Sequence, residues 1–240
     1  IHLIEDYYSK SVHKDSQLIL KRLIKHYRDF GNHVYIDTLI SPSYTSAIAQ
    51  TIQLPGISGM ENNMLLLEYY KEDPVNLDSI INNFSLINAG NFDVAILGSS
   101  KRPVNFRGYI DVWLRSVDYD NSHLMILLSF IIQGHPQWKK SSIRIFQICK
   151  PGEKEQTRLE LEQLIVAGRL PVTNKNIEII ESKGNKDFRE EINSHSENSA
   201  YTIIGFTGDL LKFNGKSMFE GYDKLGHVLF VSASERKEIE

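Results

Sequence analysis

GYIDVWLRSVDYDNSHLMILLSFIIQGHPQW, residues 108–138, carries the pattern that decides the fold. Tyr109, Ile110, Val112, Trp113, Leu114 and Val117 are strand formers, and the run is too apolar for a strand wetted on one face. Asp118, Asp120, Asn121 and Ser122 follow with side-chain oxygens suited to a turn and a helix N-cap. Leu124 to Ile132 is almost wholly apolar, and Gly134 and Pro136 stop it. A bilayer span needs about 20 apolar residues, so this run is too short to cross a membrane. A helix apolar on all sides must instead be covered by a sheet and by a second element.

Outward from this stretch the same alternation continues. Toward the N-terminus, strands are expected at 1–8, 33–40, 64–69 and 92–98, with helices at 15–30, 43–53 and 76–89 between them. The strand at 64–69 (MLLLEY) is short and nearly all apolar, as a strand buried on both faces should be. Toward the C-terminus, helices at 122–133, 153–168 and 186–196 alternate with strands at 142–149, 176–182 and 200–206, and a last strand covers 227–233. Strand–helix alternation predicts an α/β fold, mostly parallel sheets with flanking helices, built as two similar Rossmann-like halves. Residues 33–40 (HVYIDTLI) and 176–182 (NIEIIES) hold comparable places in them. The expected boundary is the polar loop 99–108, giving halves 1–105 and 106–240; one continuous sheet is the alternative.

A formal net charge of −3 over 240 residues offers no electrostatic footprint for nucleic acid. Cys149 is the single cysteine, so no intrachain disulfide forms and a reducing compartment fits. The sequence starts at Ile1 inside an apparent strand, and we expect it to be a piece of a longer protein.

Catalytic patterns are thin. The eight histidines are scattered with no ligand spacing, and one cysteine excludes the common zinc frameworks, so no metal or other cofactor is expected. No Gly-x-Ser-x-Gly elbow occurs. Lys150 beside Cys149 could lower the thiol pKa, although a lone strand cysteine more often packs as a small hydrophobe. Asp111, inside a strand, needs a cationic partner, and Arg107 and Arg115 are near in sequence. Of the glycine groups, Gly56-Ile-Ser-Gly59 lies between helix and strand, the wrong order for a phosphate cradle. Gly98-Ser-Ser-Lys-Arg follows a strand but is interrupted by Pro103. Gly205-Phe-Thr-Gly208, then Gly215-Lys-Ser217, follows a strand and loosely resembles the nucleotide loop of universal stress proteins. That makes Gly205, Thr207, Gly208 and Ser217 the nucleotide candidates, against the plainer reading of a Gly-rich connection.

Two stretches resemble cation-chloride cotransporters, the Na-K-Cl and K-Cl cotransporters and their prokaryotic relatives. Residues 46–67, SAIAQTIQLPGISGMENNMLLL, follow the family's Gly-x-Gly-Gly-x-x-Pro-Asn pattern at Gly56, Gly59 and Asn63. Ser58, Asn62 and Glu68 replace its middle glycine, its proline and its final glycine. Trp113, Asn121, Leu124, Met125, Pro136 and Trp138 match the family's Trp … Asn-Leu-Met-Leu-Leu-Leu … Pro-x-Trp signature. The resemblance runs from about residue 33 to 206. It implies the cytoplasmic C-terminal domain of a membrane transporter: two halves similar to universal stress proteins, non-catalytic, dimerising and regulating ion transport. The implied partners are the transmembrane domain of the same polypeptide and a second copy, on the cytoplasmic side of the cell membrane. Some prokaryotic relatives are labelled amino-acid permeases, so the solute is not fixed. A nucleotide-binding sensor of universal-stress-protein type is the competing expectation. A hydrolase or dehydrogenase fails for want of a nucleophile or a dinucleotide fingerprint.

Overall fold

The structure, a computed structural model, describes residues 1–28, 35–56, 61–115, 119–167, 172–181 and 187–235. It contains two compact units, Ile1–Asn62 and Asn63–Glu240.

The first unit holds β1 (His2–Glu5), α1 (Lys10–Arg28), β2 (Thr38–Ser41) and α2 (Tyr44–Thr51). β1 and β2 pair in parallel, with Leu3 beside Leu39 and Ile4 beside Ile40. Along α1 the covered positions Val12, Ser16, Ile19, Leu20, Leu23 and Ile24 recur at helical spacing and form one face. Ser43 caps α2, its hydroxyl accepting from the Ser46 N–H at 3.1 Å.

The second unit holds β3 (Met64–Tyr70), α3 (Leu77–Ala89), β4 (Asp93–Ser99), β5 (Tyr109–Leu114), α4 (Tyr119–Gly134), β6 (Ser142–Cys149) and α5 (Lys154–Ala167). It continues with β7 (Ile177–Glu181), α6 (Phe188–Ser196), β8 (Tyr201–Gly205), α7 (Gly208–Asn214) and β9 (His227–Ser232). Its seven strands form one sheet in the order β3-β4-β9-β8-β5-β6-β7. β5 to β9 run parallel to one another, and β3 pairs parallel with β4. β4 meets β9 in an antiparallel seam centred on Ile96 and Phe230. The mostly parallel α/β architecture is therefore the expected one, but the compact units do not divide at 105/106. β3 and β4 belong to the first half by sequence order, and backbone hydrogen bonding across the seam joins them to the second.

β5 is central and buried, and its side chains alternate. Ile110, Val112 and Leu114 join Leu124, Met125 and Ile126 of α4 and Leu161, Leu164 and Ile165 of α5 in one core. On the other face the Trp113 ring stacks on Phe146 at 4.5 Å and meets Phe188 of α6 edge-on at 6.1 Å. The sheet covers one side of the apolar helix and α5 meets it near its start, where the His123 ring nitrogen lies 3.3 Å from the Leu164 carbonyl, while Ile131 toward its end is 60% exposed.

Two local expectations change. The polar residues before the apolar run are not all a cap: α4 begins at Tyr119, so Asn121 and Ser122 lie inside it, 2% and 0% exposed; Asp118 lies outside the described residues. The connection from β8 to β9 contains a seven-residue helix, α7, where a glycine-rich loop is expected. Thr207 caps it, accepting from the Leu210 N–H at 3.3 Å.

Candidate functional site

In the run β7-β6-β5-β8-β9, strand order reverses between β5 and β8, and a crevice opens there beyond the carboxyl ends of the strands. It is a cavity of about 270 Å³ lined by Arg115, Asp187, Phe188, Arg189, Gly205, Phe206, Met218 and Tyr222 among others. Arg115 follows β5, and its Nη2 donates to the Gly205 carbonyl at 3.0 Å while the guanidinium lies 4.9 Å from the Phe188 ring centre. Asp187 caps α6. Arg189 Nη2 donates to the Ser217 carbonyl at 2.9 Å, and its guanidinium lies 5.9 Å from the Tyr222 ring. Burial pushes the Tyr222 phenol pKa up, and the charge of Arg189 pulls the other way. Beneath lie Phe206, Phe219 and Phe230, in edge-to-face contact at 5.9 and 4.8 Å.

Of the four nucleotide candidates, Gly205 is in the lining of this crevice and Thr207, Gly208 and Ser217 are not. Gly205 ends β8 and lines the cavity, but its carbonyl is bonded to Arg115. The Phe206 N–H donates to Val231 at 2.9 Å. Thr207 uses its hydroxyl as the cap of α7. Gly208 has no spare space, since a Cβ there would meet the Phe84 ring at 3.1 Å. Ser217 donates its hydroxyl to the Asn214 carbonyl at 2.7 Å. The Thr207 and Ser217 hydroxyls are thus engaged within the protein. Sequence reasoning passed over Arg115 as a wall of the crevice and did not weigh Arg189; the one available signal was Arg115 at the end of a central strand.

A second concavity, about 420 Å³, lies beyond β3 and β4 and is lined by Lys71, Glu72, Ser100, Lys101, Arg102 and Asp223. This is the Gly98-Ser-Ser-Lys-Arg loop. Glu72 accepts from the Lys101 N–H at 3.2 Å and the Ser100 hydroxyl at 3.3 Å, so a carboxylate stands where an anion would bind. Those hydrogen bonds, the Lys101 N–H first, draw the Glu72 pKa down. Lys71 Nζ donates to the carbonyls of Tyr222, Leu225 and Gly226 at 2.7, 2.8 and 3.2 Å, and burial lowers its pKa.

Asp111 has its cation, though neither Arg107 nor Arg115 supplies it. Arg144, its register partner on β6, donates Nε and Nη2 to the two carboxylate oxygens at 2.8 and 2.7 Å. Its guanidinium also lies 4.0 Å from the Tyr109 ring centre. Cross-strand pairing, invisible to sequence proximity, selects it. Burial pushes the Cys149 thiol up, opposite to the direction in which Lys150 would act. Among the described residues no three His, Cys, Asp or Glu side chains come together as a metal site.

The transporter-motif residues occupy structural positions. Trp113 is fully buried, its Nε1 donating to Ser196 Oγ at 2.9 Å. Asn121 ties two strand ends together: Nδ2 donates to the Phe206 carbonyl and Oδ1 accepts from the Ala233 N–H, both at 2.7 Å. Leu124 and Met125 are core residues of α4. Pro136 is exposed in the turn after α4. Trp138 packs edge-on against Phe106 and Tyr201, at 5.1 and 6.1 Å. The Asn63 carbonyl accepts from the Asp93 N–H at 2.8 Å, where β3 and β4 begin. Gly56 is half-buried after α2, and Gly59 lies outside the described residues.

No family model and no curated protein sequence matches the chain. Solved structures do. The cytoplasmic domain of a prokaryotic cation chloride cotransporter is similar over 98% of this chain and 84% of its own, with a TM-score of 0.59 at 11% identity. PA1789 of Pseudomonas aeruginosa PAO1, a protein of unknown function, and a candidate universal stress protein of P. aeruginosa UCBPP-PA14 are each similar over 95% of this chain and 80% of theirs. Both have a TM-score of 0.55 at 14% identity. At such identities the likeness is one of fold: an α/β sheet with flanking helices of universal-stress-protein type. Among the described residues no helix is long and apolar enough to cross a membrane.

Proposed function

We propose that this chain is a non-catalytic regulatory and dimerisation domain of a membrane secondary transporter of cation-chloride cotransporter type. Its partners would be the transmembrane part of the same polypeptide and a second copy of the domain. The observation that carries this reading is the fold likeness, over nearly the whole chain, to the cytoplasmic domain of a prokaryotic cation chloride cotransporter. The Thr207 and Ser217 hydroxyls, bonded within the protein after β8, lend the competing reading no support. The enzyme reading gains nothing from a crevice of two arginines, an aspartate and a buried phenol, which offers no nucleophile–base pair.

Two measurements test it. Sedimentation across a concentration range should give a dimer; a monomer at high concentration removes the dimerisation role. In the parent transporter, deleting the domain should change solute flux, and unchanged flux removes the regulatory role.

The nucleotide sensor remains a second reading because of the crevice at the strand-order reversal, with Arg115 and Arg189 in its wall. A nucleotide at a hundredfold excess over its dissociation constant stabilises a native protein by about 2.7 kcal/mol. Thermal melts with adenine nucleotides should show no shift; a rise of several degrees would favour the sensor.

A further inference from the structure

The edge strand β3 has the side chains of an interior strand. It reads MLLLEYY, with Leu66 62% and Tyr70 59% exposed. The opposite edge, β7, reads IEIIE and turns Glu178 and Glu181 to solvent. Charges of that kind are how a sheet edge is kept from pairing with other chains, and β3 has one, Glu68.

Topology gives a reason. β6-α5-β7-α6-β8-α7-β9 and β1-α1-β2-α2-β3-α3-β4 are the same series of elements, and in both the first two strands pair in parallel and the last two pair in parallel. The later series is preceded by β5 and α4, and β5 lies alongside β8. β3 is the counterpart of β8, and its equivalent side pairs with no strand among the described residues. The seam makes the correspondence residue-specific. Leu67 neighbours Ile96 and Ile204 neighbours Phe230, and Ile96 and Phe230 are partners. Leu66 therefore holds the place of Ile203, which is 0% exposed beside Val112 of β5.

We propose that the open edge of β3 is the seat of a parallel strand followed by an apolar helix. This segment would be the counterpart of Tyr109–Gly134, carried by the polypeptide N-terminal to Ile1. The strand extends the sheet beyond β3, and its helix covers Leu66. Parallel orientation follows from β5 and β8, and the apolar helix from the face it must cover. The inference rests on the repeat and the edge, independently of the transporter reading.

The test compares hydrogen exchange of β3 amides in residues 1–240 and in the natural polypeptide carrying its own upstream residues. The β3 amides facing away from β4 should exchange rapidly in the shorter chain and slow about a hundredfold or more in the longer one. Unchanged exchange overturns the proposal. So does protection that grows with concentration in the shorter chain, which would assign the edge to a second copy. A Leu66→Lys variant gives the second readout. It should leave the melting temperature of residues 1–240 unchanged. In the longer chain it should lower that temperature and abolish the β3 protection, and failure of only the longer variant to fold is the same result in stronger form. Equal tolerance in both chains overturns the proposal.

Discussion

Replacing Arg144 with methionine isolates a bidentate ion pair inside the sheet. Asp111 is 0% exposed and takes two hydrogen bonds from Arg144, whose side chain is 29% exposed. Methionine keeps an unbranched apolar side chain and removes the guanidinium, both its charge on Asp111 and its place over the Tyr109 ring. Breaking a buried pair by deleting one partner costs about 3–5 kcal/mol, because a charge stays behind in a medium that solvates it poorly. Partial exposure of Arg144 puts the expected loss at the lower end, about 3 kcal/mol, or about 6–12 °C in melting temperature for a unit of this size. The loss should depend on pH, and the sign follows from linkage. Burial already holds the Asp111 pKa above the usual aspartate range, with Arg144 and Ser196 pulling it back. Between the ordinary value and the raised one the native state holds more protons than the unfolded chain, so this group's contribution falls as pH rises. Without Arg144 the native value moves higher and the window widens upward. The variant should therefore be most impaired near neutral pH and recover as pH falls into the window, by up to about 1.4 kcal/mol per unit. Urea unfolding of wild type, Arg144→Met, Arg144→Lys and Asp111→Asn at several pH values measures this. Lysine, keeping charge but not the fork, should fall between wild type and methionine. A methionine penalty below about 1 kcal/mol, or one flat in pH, would refute the view that Asp111 is ionised and held by Arg144.

Other substitutions test the packing around the two concavities. Gly98→Ala should destabilise by about 1–3 kcal/mol in urea unfolding, since the new Cβ would stand 2.7 Å from the hydroxyl oxygen of the buried Tyr69. Thr207→Ala should cost about 1 kcal/mol through loss of the α7 cap, with melting in the presence of ATP no different from melting without it. Lys71→Met removes the donor shared by three carbonyls, and should cost about 1–3 kcal/mol and speed amide exchange across 222–226.

Periodicity revealed nearly every strand and helix, because their signals are local. Leu124–Ile132 reads as a helix needing cover, and the sheet supplies it for Leu124, Met125 and Ile126, while Ile131 stays 60% exposed. What sequence could not supply was pairing across distance. Arg144 reaches Asp111 from 33 residues away through register, and Arg107 and Arg115 were weighed because they are adjacent in the chain. Asn121 looked like a cap because asparagine before an apolar run usually is one; its actual partners are Phe206 and Ala233, at the ends of β8 and β9. α7 was missed because seven residues bounded by Gly208 and Gly215 give too few turns for a period, although Thr207 ahead of Asp209, Leu210 and Leu211 was a start signal. The nucleotide candidates came from glycine spacing, and spacing says nothing about whether Phe84 fills the space beside Gly208.

The seam between β4 and β9 raises the question of which division of the chain is energetic. The repeat divides it near residue 105, whereas hydrogen bonding places β3 and β4 with the later strands. The two views differ in how unfolding should spread. Phe206, Phe219 and Phe230 interlock beside the seam, Phe84 of α3 packs against Phe206 at 5.4 Å, and Tyr69 of β3 meets Phe219 at 6.1 Å. Opening β3 and β4 would expose those rings and free the β9 edge, a cost too large to leave the rest of the sheet in place. Residues 63–240 should therefore unfold in one transition. In a Trp138→Phe background the remaining tryptophan, Trp113, sits in β5 on the far side of the seam from Gly98. Adding Gly98→Ala should move the Trp113 fluorescence midpoint and the far-ultraviolet midpoint together to lower urea. If the fluorescence midpoint stays fixed while the far-ultraviolet curve splits in two, β3 and β4 melt independently, and the repeat boundary is the thermodynamic one.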